Sequence, residues 1–236
     1  MTDLLAGARV DSRVWEEFPD YVAVIAEVRH LRPGPSSDYS EELLRRAEDS
    51  AQVAIGEGAA HDLPEIAVWR EAYASFGVKP RDGRSSVEAL MRRADKGLPR
   101  IDRLTDVYNA ISVVHRIPIG GENLAAYAGP PQLVISDGSD TFDTVADGER
   151  VHESVPAGEV VWKDDEGVTC RRWNWRQCVR TRLGVETEEA LFIVDGLGAG
   201  AGDRAREAFD ALVTALRVDS PDLSVESVTL AAIPST

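Results

Sequence analysis

The pattern of apolar residues changes near residue 118, and this change constrains the fold more than any other feature. Before it, as in the segment 102–118, apolar side chains recur every three or four residues, which is typical of amphipathic helices. After it, short β-prone runs are separated by turn pairs such as Asp137-Gly138 and Asp147-Gly148. Helices early and strands late favour an α+β fold, with a mixed β-sheet packed with helices, over an alternating βαβ array.

Short polar residues predict where several helices begin. A side-chain oxygen before the first turn can accept a hydrogen bond from an otherwise unpaired backbone N–H. On this basis Asp62, Ser85, Asp102 and Asp203 are predicted to cap helices, and a further helix follows from Ser40. The predicted strands lie at 21–31, 133–136, 159–163, 168–175, 190–195 and 223–230.

Composition narrows the classes of partner. The net charge of −15 opposes bulk binding of DNA or RNA, which requires a basic surface that neutralises phosphates. No apolar run is long enough to span a bilayer, and the first ten residues do not resemble a signal peptide. We therefore expect one cytoplasmic domain over residues 1–236, without a membrane contact. The two cysteines and four histidines match no ligand spacing, so neither a metal nor a cofactor is expected.

Two neighbouring segments place polar groups where a pocket would need them. In the helical segment 106–112, Asn109 lies on the face opposite the apolar stripe. Such a face is either solvated or the lining of a polar pocket. Gly120 and Gly121 follow, and paired glycines allow the backbone N–H groups to approach a ligand oxygen closely. The same pair is also compatible with a plain turn.

A third segment, 170–178, combines arginine with tryptophan. If it is a strand, Arg172, Asn174 and Arg176 point to one side, and the two tryptophans point to the other. One interpretation is a core strand anchored by tryptophan, with arginines at its rim. The other is that Arg172, Asn174 and Arg176 line a polar cavity.

The order of these motifs resembles one known family. The chain contains R-R-x-x-x-G-L-P at 92–99, D-x-Y-N-A-x-S at 106–112, P-I-G-G at 118–121 and R-R-W-N-W-R-Q at 171–177. This order is similar to that of free-standing relatives of the B-three/B-four (tRNA-binding and editing) domain of the phenylalanyl-tRNA synthetase beta subunit. The resemblance is strongest over residues 60–197, and it implies the fold of that editing domain.

The resemblance also implies site residues. The Asn of the helix, here Asn109, helps to form the aminoacyl pocket, and the loop after it corresponds to 118–123, which includes Glu122. The family loop carries a His, which is absent here. An acidic residue late in the domain reads the substrate side chain, and Asp195 is the match by position. Thr187 matches the Thr that precedes this strand.

Three functions are compatible with these features. The first is hydrolysis in trans of a mischarged aminoacyl-tRNA ester, in which Asn109 orients the substrate or water, and the amides of Gly120 and Gly121 stabilise the oxyanion. In the second, the domain binds a free amino acid or another small ligand without catalysis. In the third, the tryptophan-rich segment is structural and the domain acts through a partner. The expected ligand is the aminoacylated end of tRNA or a free amino acid.

Overall fold

A computed structural model of the chain describes residues 4–232, and it contains both helices and strands as predicted. The α-helices are α1 Ser12–Glu17, α2 Asp38–Ile55, α3 Pro64–Ser75, α4 Ser86–Met91, α5 Arg103–His115 and α6 Ala201–Asp219. Short 3-10 turns occur at Ala60–Asp62, Ala94–Lys96 and Leu124–Ala126.

The strands divide between two sheets. They are β1 Arg9–Val10, β2 Val22–Arg29, β3 Ile119–Asn123, β4 Gln132–Ile135, β5 Thr141–Ala146, β6 Glu149–Ser154, β7 Val160–Lys163, β8 Val168–Arg171, β9 Arg176–Gln177, β10 Ala190–Gly196 and β11 Ser224–Ala231. A seven-stranded sheet has the order β1-β4-β7-β8-β5-β6, with β9 paired to β8. It is mixed, because β1 with β4 and β5 with β8 are parallel pairs while the others are antiparallel. The predicted α+β class with a mixed sheet is confirmed.

The second sheet is antiparallel throughout, with the order β11-β2-β10-β3, and it separates two apolar clusters. All seven residues of β10 are buried. Leu191 and Ile193 point into a cluster shared with α3 and the seven-stranded sheet. Phe192 and Val194 point to the other side, against α5 and α6. A strand buried on both faces reads as a continuous apolar run, which is why its position was predictable.

The predicted helix starts are partly correct. Asp102 caps α5, since its carboxylate accepts from the Thr105 N–H at 2.9 Å. The Ser85 hydroxyl likewise accepts from the first turn of α4, so that cap is also confirmed.

Two predicted caps are wrong. Leu63 precedes α3, and the Asp62 carboxylate instead accepts from the N–H of Ala59 at 2.9 Å, within the preceding 3-10 turn. Gly200, with a φ of 70°, caps α6. A glycine adopts this left-handed conformation at little cost, so α6 begins two residues before Asp203 and places that carboxylate inside its first turn.

Strands β1, β3, β5, β6 and β9 were not predicted. Gly120 and Gly121 lie within β3, although paired glycines were interpreted as a turn or loop. The β5–β6 hairpin is mostly exposed on its outer strand and has no apolar run to mark it. Among the described helices, none is both long enough and apolar enough to cross a membrane.

Candidate functional site

The arginine- and tryptophan-rich segment is a hairpin, and the prediction of a continuous strand to residue 175 is wrong. Strand β8 ends at Arg171, which pairs with Arg176 on β9. The loop between them contains two successive residues in the left-handed region, Arg172 with a φ of 47° and Trp173 with a φ of 65°. Left-handed residues reverse the chain direction. The predicted alternation of side chains therefore fails after Arg171.

Burial of Trp173 compensates for the unfavourable backbone of this loop. Its ring is fully buried and makes edge contacts with Phe18, Tyr21 and Trp69, with centroids 5.1, 4.8 and 5.3 Å away. Non-glycine residues in the left-handed region cost about 1–3 kcal/mol each and persist where the surroundings fix them. The loop is thus held rigidly against the core, and its neighbouring side chains are displayed in fixed positions.

A cavity of about 130 Å³ lies beside this loop, between α5, β3, β10 and the β8–β9 hairpin. It has room for about four water molecules at about 30 Å³ each, which is of the order of a small amino acid and too small for a nucleotide. Its lining residues are Ser86, Tyr108, Asn109, Ile119, Gly120, Glu122, Cys170, Trp173, Asn174, Trp175, Arg176, Gln177, Ile193 and Asp195.

Six of the nine predicted site residues converge on this cavity: Asn109, Gly120, Glu122, Asn174, Arg176 and Asp195. The other three do not line it. The guanidinium of Arg172 instead pairs with Glu159 at 3.6 Å and stacks over Trp175 at 4.0 Å. Thr187 accepts from the Gly184 N–H at 3.0 Å in the loop before β10.

The third residue outside the lining is Gly121, which faces the opposite apolar cluster. A Cβ added there would lie 2.8 Å from atoms of Leu183 and Phe192 and 3.1 Å from Tyr108. Its carbonyl accepts from Nε2 of Gln177 at 2.8 Å. The need for glycine at this position is therefore a packing requirement.

The strand register decides which glycine amide is available to a ligand. The Asp195 N–H donates to the Pro118 carbonyl at 3.0 Å. Hydrogen-bonded and non-bonded pairs alternate along antiparallel strands. Gly120 lies opposite Ile193, two positions along from the bonded pair of Pro118 and Asp195. The Gly120 N–H therefore donates to β10 within the sheet. The expectation that the Gly120 amide stabilises an oxyanion is corrected. The Gly121 N–H points away from β10, on the side where its carbonyl meets Gln177.

Asp195 is the acidic group at the aromatic end of the cavity. Tyr21 Oη donates to its Oδ1 at 2.6 Å, and Trp162 Nε1 donates to the same oxygen at 3.3 Å. Asp195 is 3% exposed. Burial raises its pKa to about 7, against hydrogen bonds from Tyr21 and Trp162 that lower it. Near neutral pH this carboxyl is therefore partly protonated.

Glu122 is the acidic group at the other end, and it is 2% exposed. Burial raises its pKa to about 7, while the hydroxyls of Tyr127, Thr181 and Thr169 lower it. Its Oε2 makes no hydrogen bond to any residue of the described chain. An unpaired buried carboxylate oxygen is costly, so this atom is available to a ligand or a water molecule.

Three further polar groups face the cavity without a protein partner in the described range 4–232. The Asn174 Oδ1 accepts from Tyr73 Oη at 2.9 Å, which leaves its buried Nδ2 unpaired. The side-chain amide of Asn109 and the guanidinium of Arg176 line the cavity, and Arg176 contacts only the rings of Phe142 and Trp175, each at 6.0 Å. The cavity thus presents amide groups and one cation to an incoming group.

Several lining residues were missed by sequence reasoning. Cys170 lies between the two carboxyls, and burial followed by the charges of Glu122 and Asp195 raises the pKa of its thiol. Ser86 lies at the cavity wall because its N–H donates to the Asn174 carbonyl at 3.0 Å. Contacts between residues so distant in sequence leave no local signal. The part of the chain that is described contains no cluster of three potential metal ligands.

Fold and cavity together define an α+β domain with a small polar cavity at the edge of an antiparallel sheet. A family model described as the B3/4 domain matches residues 68–206, and the chain belongs to this family.

Among the solved structures that are similar to this chain is an N-terminal fragment of the phenylalanyl-tRNA synthetase beta subunit from Pyrococcus horikoshii. It shares 11% identity, with a TM-score of 0.50 over 94% of this chain and 53% of that chain. This chain therefore spans about half of that fragment, and the likeness concerns the fold alone. No curated protein matches.

Proposed function

We propose that this protein hydrolyses the ester bond of a mischarged aminoacyl-tRNA in trans. The observation that carries the proposal is the convergence of Asn109, Glu122, Asn174, Arg176 and Asp195 on one cavity of the order of a small amino acid in size. The fold shared with a fragment of a tRNA synthetase subunit supports a tRNA-linked role. Charged tRNA is made in the cytoplasm, so the proposed function implies that this protein acts in the cytoplasm.

The two ends of the cavity suit the two parts of an aminoacyl ester. The Asp195 end, which is enclosed and also carries Asn174, receives the amino-acid side chain. Arg176 lies at the half-exposed rim and faces the terminal nucleotide, where a guanidinium binds a phosphate well.

Hydrolysis requires a positioned water molecule more than a strong nucleophile, because the ester is already activated. Oε2 of Glu122 accepts a proton from this water as its oxygen bonds to the carbonyl carbon. A pKa of about 7 suits such a base at neutral pH. The side-chain amide of Asn109, which lines the cavity, orients the carbonyl and donates to the developing oxyanion. When the ester C–O bond breaks, the proton passes to the leaving ribose oxygen and the amino acid is released.

Deacylation of tRNA tests the proposal. Purified protein is incubated with tRNA charged with tyrosine, with phenylalanine and with near analogues, and ester loss is followed. We expect hydrolysis by the wild type, and at least a tenfold loss of kcat/KM, about 1.4 kcal/mol, in Asn109→Ala and Arg176→Ala. Arg217→Ala, on the exposed face of α6, is the matched control and should be unchanged.

A second candidate is a module that binds an amino acid without hydrolysing anything. The absence of the family His from the loop 118–123 favours it. Arg176 would then hold the α-carboxylate and Glu122 the α-ammonium group. In that case no charged tRNA loses its ester, and a free amino acid raises the Tm of the wild type but not of Arg176→Ala. If neither ester loss nor a Tm shift occurs, both functions are excluded.

A further inference from the structure

The segment 79–93 is basic, although the chain as a whole carries a net charge of −15. It contains five basic residues, Lys79, Arg81, Arg84, Arg92 and Arg93, against two acidic ones. Four of the five side chains belong to exposed residues, and Arg84 is half-buried. We call these five residues the basic surface. A local excess of this sign in an acidic protein attracts anions that the remaining surface repels.

The structure concentrates this charge further around one carboxylate. Glu88 is fully buried and receives a two-pronged hydrogen bond from Arg70, at 2.6 and 3.0 Å. Arg84 and Arg92 approach the same carboxylate at 3.8 and 3.9 Å. Three guanidinium groups thus share a single negative charge. Arg70 already donates a hydrogen bond to each oxygen of this carboxylate. Arg92 is left with unused donors that face solvent, whereas Arg84 donates to the Pro80 carbonyl at 3.0 Å and keeps its Nε buried.

The basic surface is joined to the rim of the cavity through the tryptophan hairpin. Arg172 donates to the carbonyl of Asp82, in the middle of the segment, and stacks over the ring of Trp175, with 4.0 Å to its centroid. Trp175 lines the cavity, and so does Ser86, the first residue of α4, which lies between Arg84 and Arg92 of the basic surface. A strand that leaves the cavity over Trp175 therefore passes onto the basic surface.

We propose that the basic surface binds backbone phosphates of the single-stranded RNA end whose terminal ester enters the cavity. The proposal rests on the proposed function and names the partner of the same site. Charge complementarity favours RNA, since phosphates recur along a single strand and the basic side chains are spread over both ends of α4. At the exit from the cavity, the guanidinium of Arg172 stacked over Trp175 adds a further positive charge.

The test neutralises three exposed side chains of the basic surface, of which Arg81 lies 3.5 Å from Asp82 in an exposed ion pair. In the triple variant Lys79→Gln, Arg81→Gln and Arg93→Gln, we expect the KM for charged tRNA to rise at least tenfold with kcat unchanged. The slope of log affinity against log salt concentration should fall by about 0.7 for each phosphate that the variant no longer neutralises, or about 2 in all. A control variant neutralises Arg32, Arg206 and Arg217, which lie near or on α6, away from the cavity, and should match the wild type.

A phosphate-free substrate separates the two proposals. The aminoacyl ester of adenosine should be hydrolysed equally by the wild type and the triple variant. If the triple variant hydrolyses charged tRNA normally and its salt slope is unchanged, the proposal for the basic surface is wrong. The proposed deacylase function would then still stand. If neither ester is hydrolysed by the wild type, the deacylase fails. Fluorescence anisotropy of a labelled single-stranded RNA then tests RNA binding by the basic surface independently. Equal binding by the wild type and the triple variant would contradict the proposal for this surface.

Discussion

Asp195 and Glu122 occupy opposite ends of one cavity and differ in how the protein holds them. Both are buried, and burial raises the pKa of each to about 7. Glu122 is paired with Leu191 across the sheet, so four residues of β10, or about 13 Å, separate the two ends. Asp195 receives hydrogen bonds from two buried aromatic side chains, whereas Oε2 of Glu122 receives none among the described residues. Equal burial therefore does not mean equal integration into the core.

The largest expected difference concerns stability after truncation. Asp195→Ala leaves the buried Tyr21 hydroxyl and the Trp162 indole N–H without their acceptor. Each unsatisfied group costs about 1–3 kcal/mol, so we expect a loss of about 3–5 kcal/mol in the free energy of unfolding. Glu122→Ala should cost about 1 kcal/mol, because the nearby hydroxyls of Tyr127 and Thr169 contact each other at 3.2 Å. Urea unfolding at pH 6 measures both, and equal losses would contradict the comparison.

The second largest expected difference between the two ends concerns how the free energy of unfolding depends on pH. A carboxyl with a raised folded pKa binds its proton more tightly in the folded state, so its contribution to stability is full at low pH and falls as pH rises to about 7. For Glu122 the interval runs from 4.5, the ordinary value, to about 7. We expect Glu122→Gln to gain about 3 kcal/mol relative to the wild type between pH 4.5 and 8.

Asp195→Asn should gain more, about 4 kcal/mol between pH 3.8 and 8, because its interval runs from 3.8 to about 7. It should do so from a lower stability at every pH, because its amide puts an N–H near the donors from Tyr21 and Trp162. Urea unfolding of both variants at a series of pH values checks this. Parallel curves for the wild type and Glu122→Gln would show that Glu122 keeps an ordinary pKa.

The smallest effects come from removing one hydroxyl at each end. Tyr21→Phe deletes the donor to Asp195 and should cost about 1–2 kcal/mol. It should also raise the pKa of Asp195, because this hydrogen bond lowers it. Tyr127→Phe at the Glu122 end should cost about 0.5 kcal/mol. Thermal unfolding of the two variants measures the difference in stability. A larger loss of stability in Tyr127→Phe would show that the Glu122 end, and not the Asp195 end, is the more strongly bonded to the core.

Sequence patterns predicted the parts of this molecule that depend on local physics. The α5 cap at Asp102, the buried strand β10 and the α+β class follow from side chains within a few residues of one another. Asn109 and Arg176 were identified together only through the order of motifs. Their shared cavity depends on contacts across the fold that no periodicity encodes.

The errors also have specific physical causes. The hairpin at 172–175 depends on two left-handed residues that are neither glycine nor asparagine, and their conformation is fixed by the burial of Trp173. Alternation of side chains cannot reveal such a loop. The ladder position of Gly120 depends on the register with β10, which a dipeptide does not specify. The unpaired oxygen of Glu122 likewise became visible only after its neighbours were placed.

Strand β10 forms the floor of the cavity on one face and the boundary of the helical core on the other. Ile193 and Asp195 line the cavity, while Phe192 and Val194 pack against the helices behind it. Anyone who wishes to engineer a new ligand preference by enlarging the floor would disturb both layers at once. Selectivity is more readily redesigned at the half-exposed residues Ser86, Trp175 and Gln177, which lie at the start of α4, in the hairpin loop and on the short strand β9.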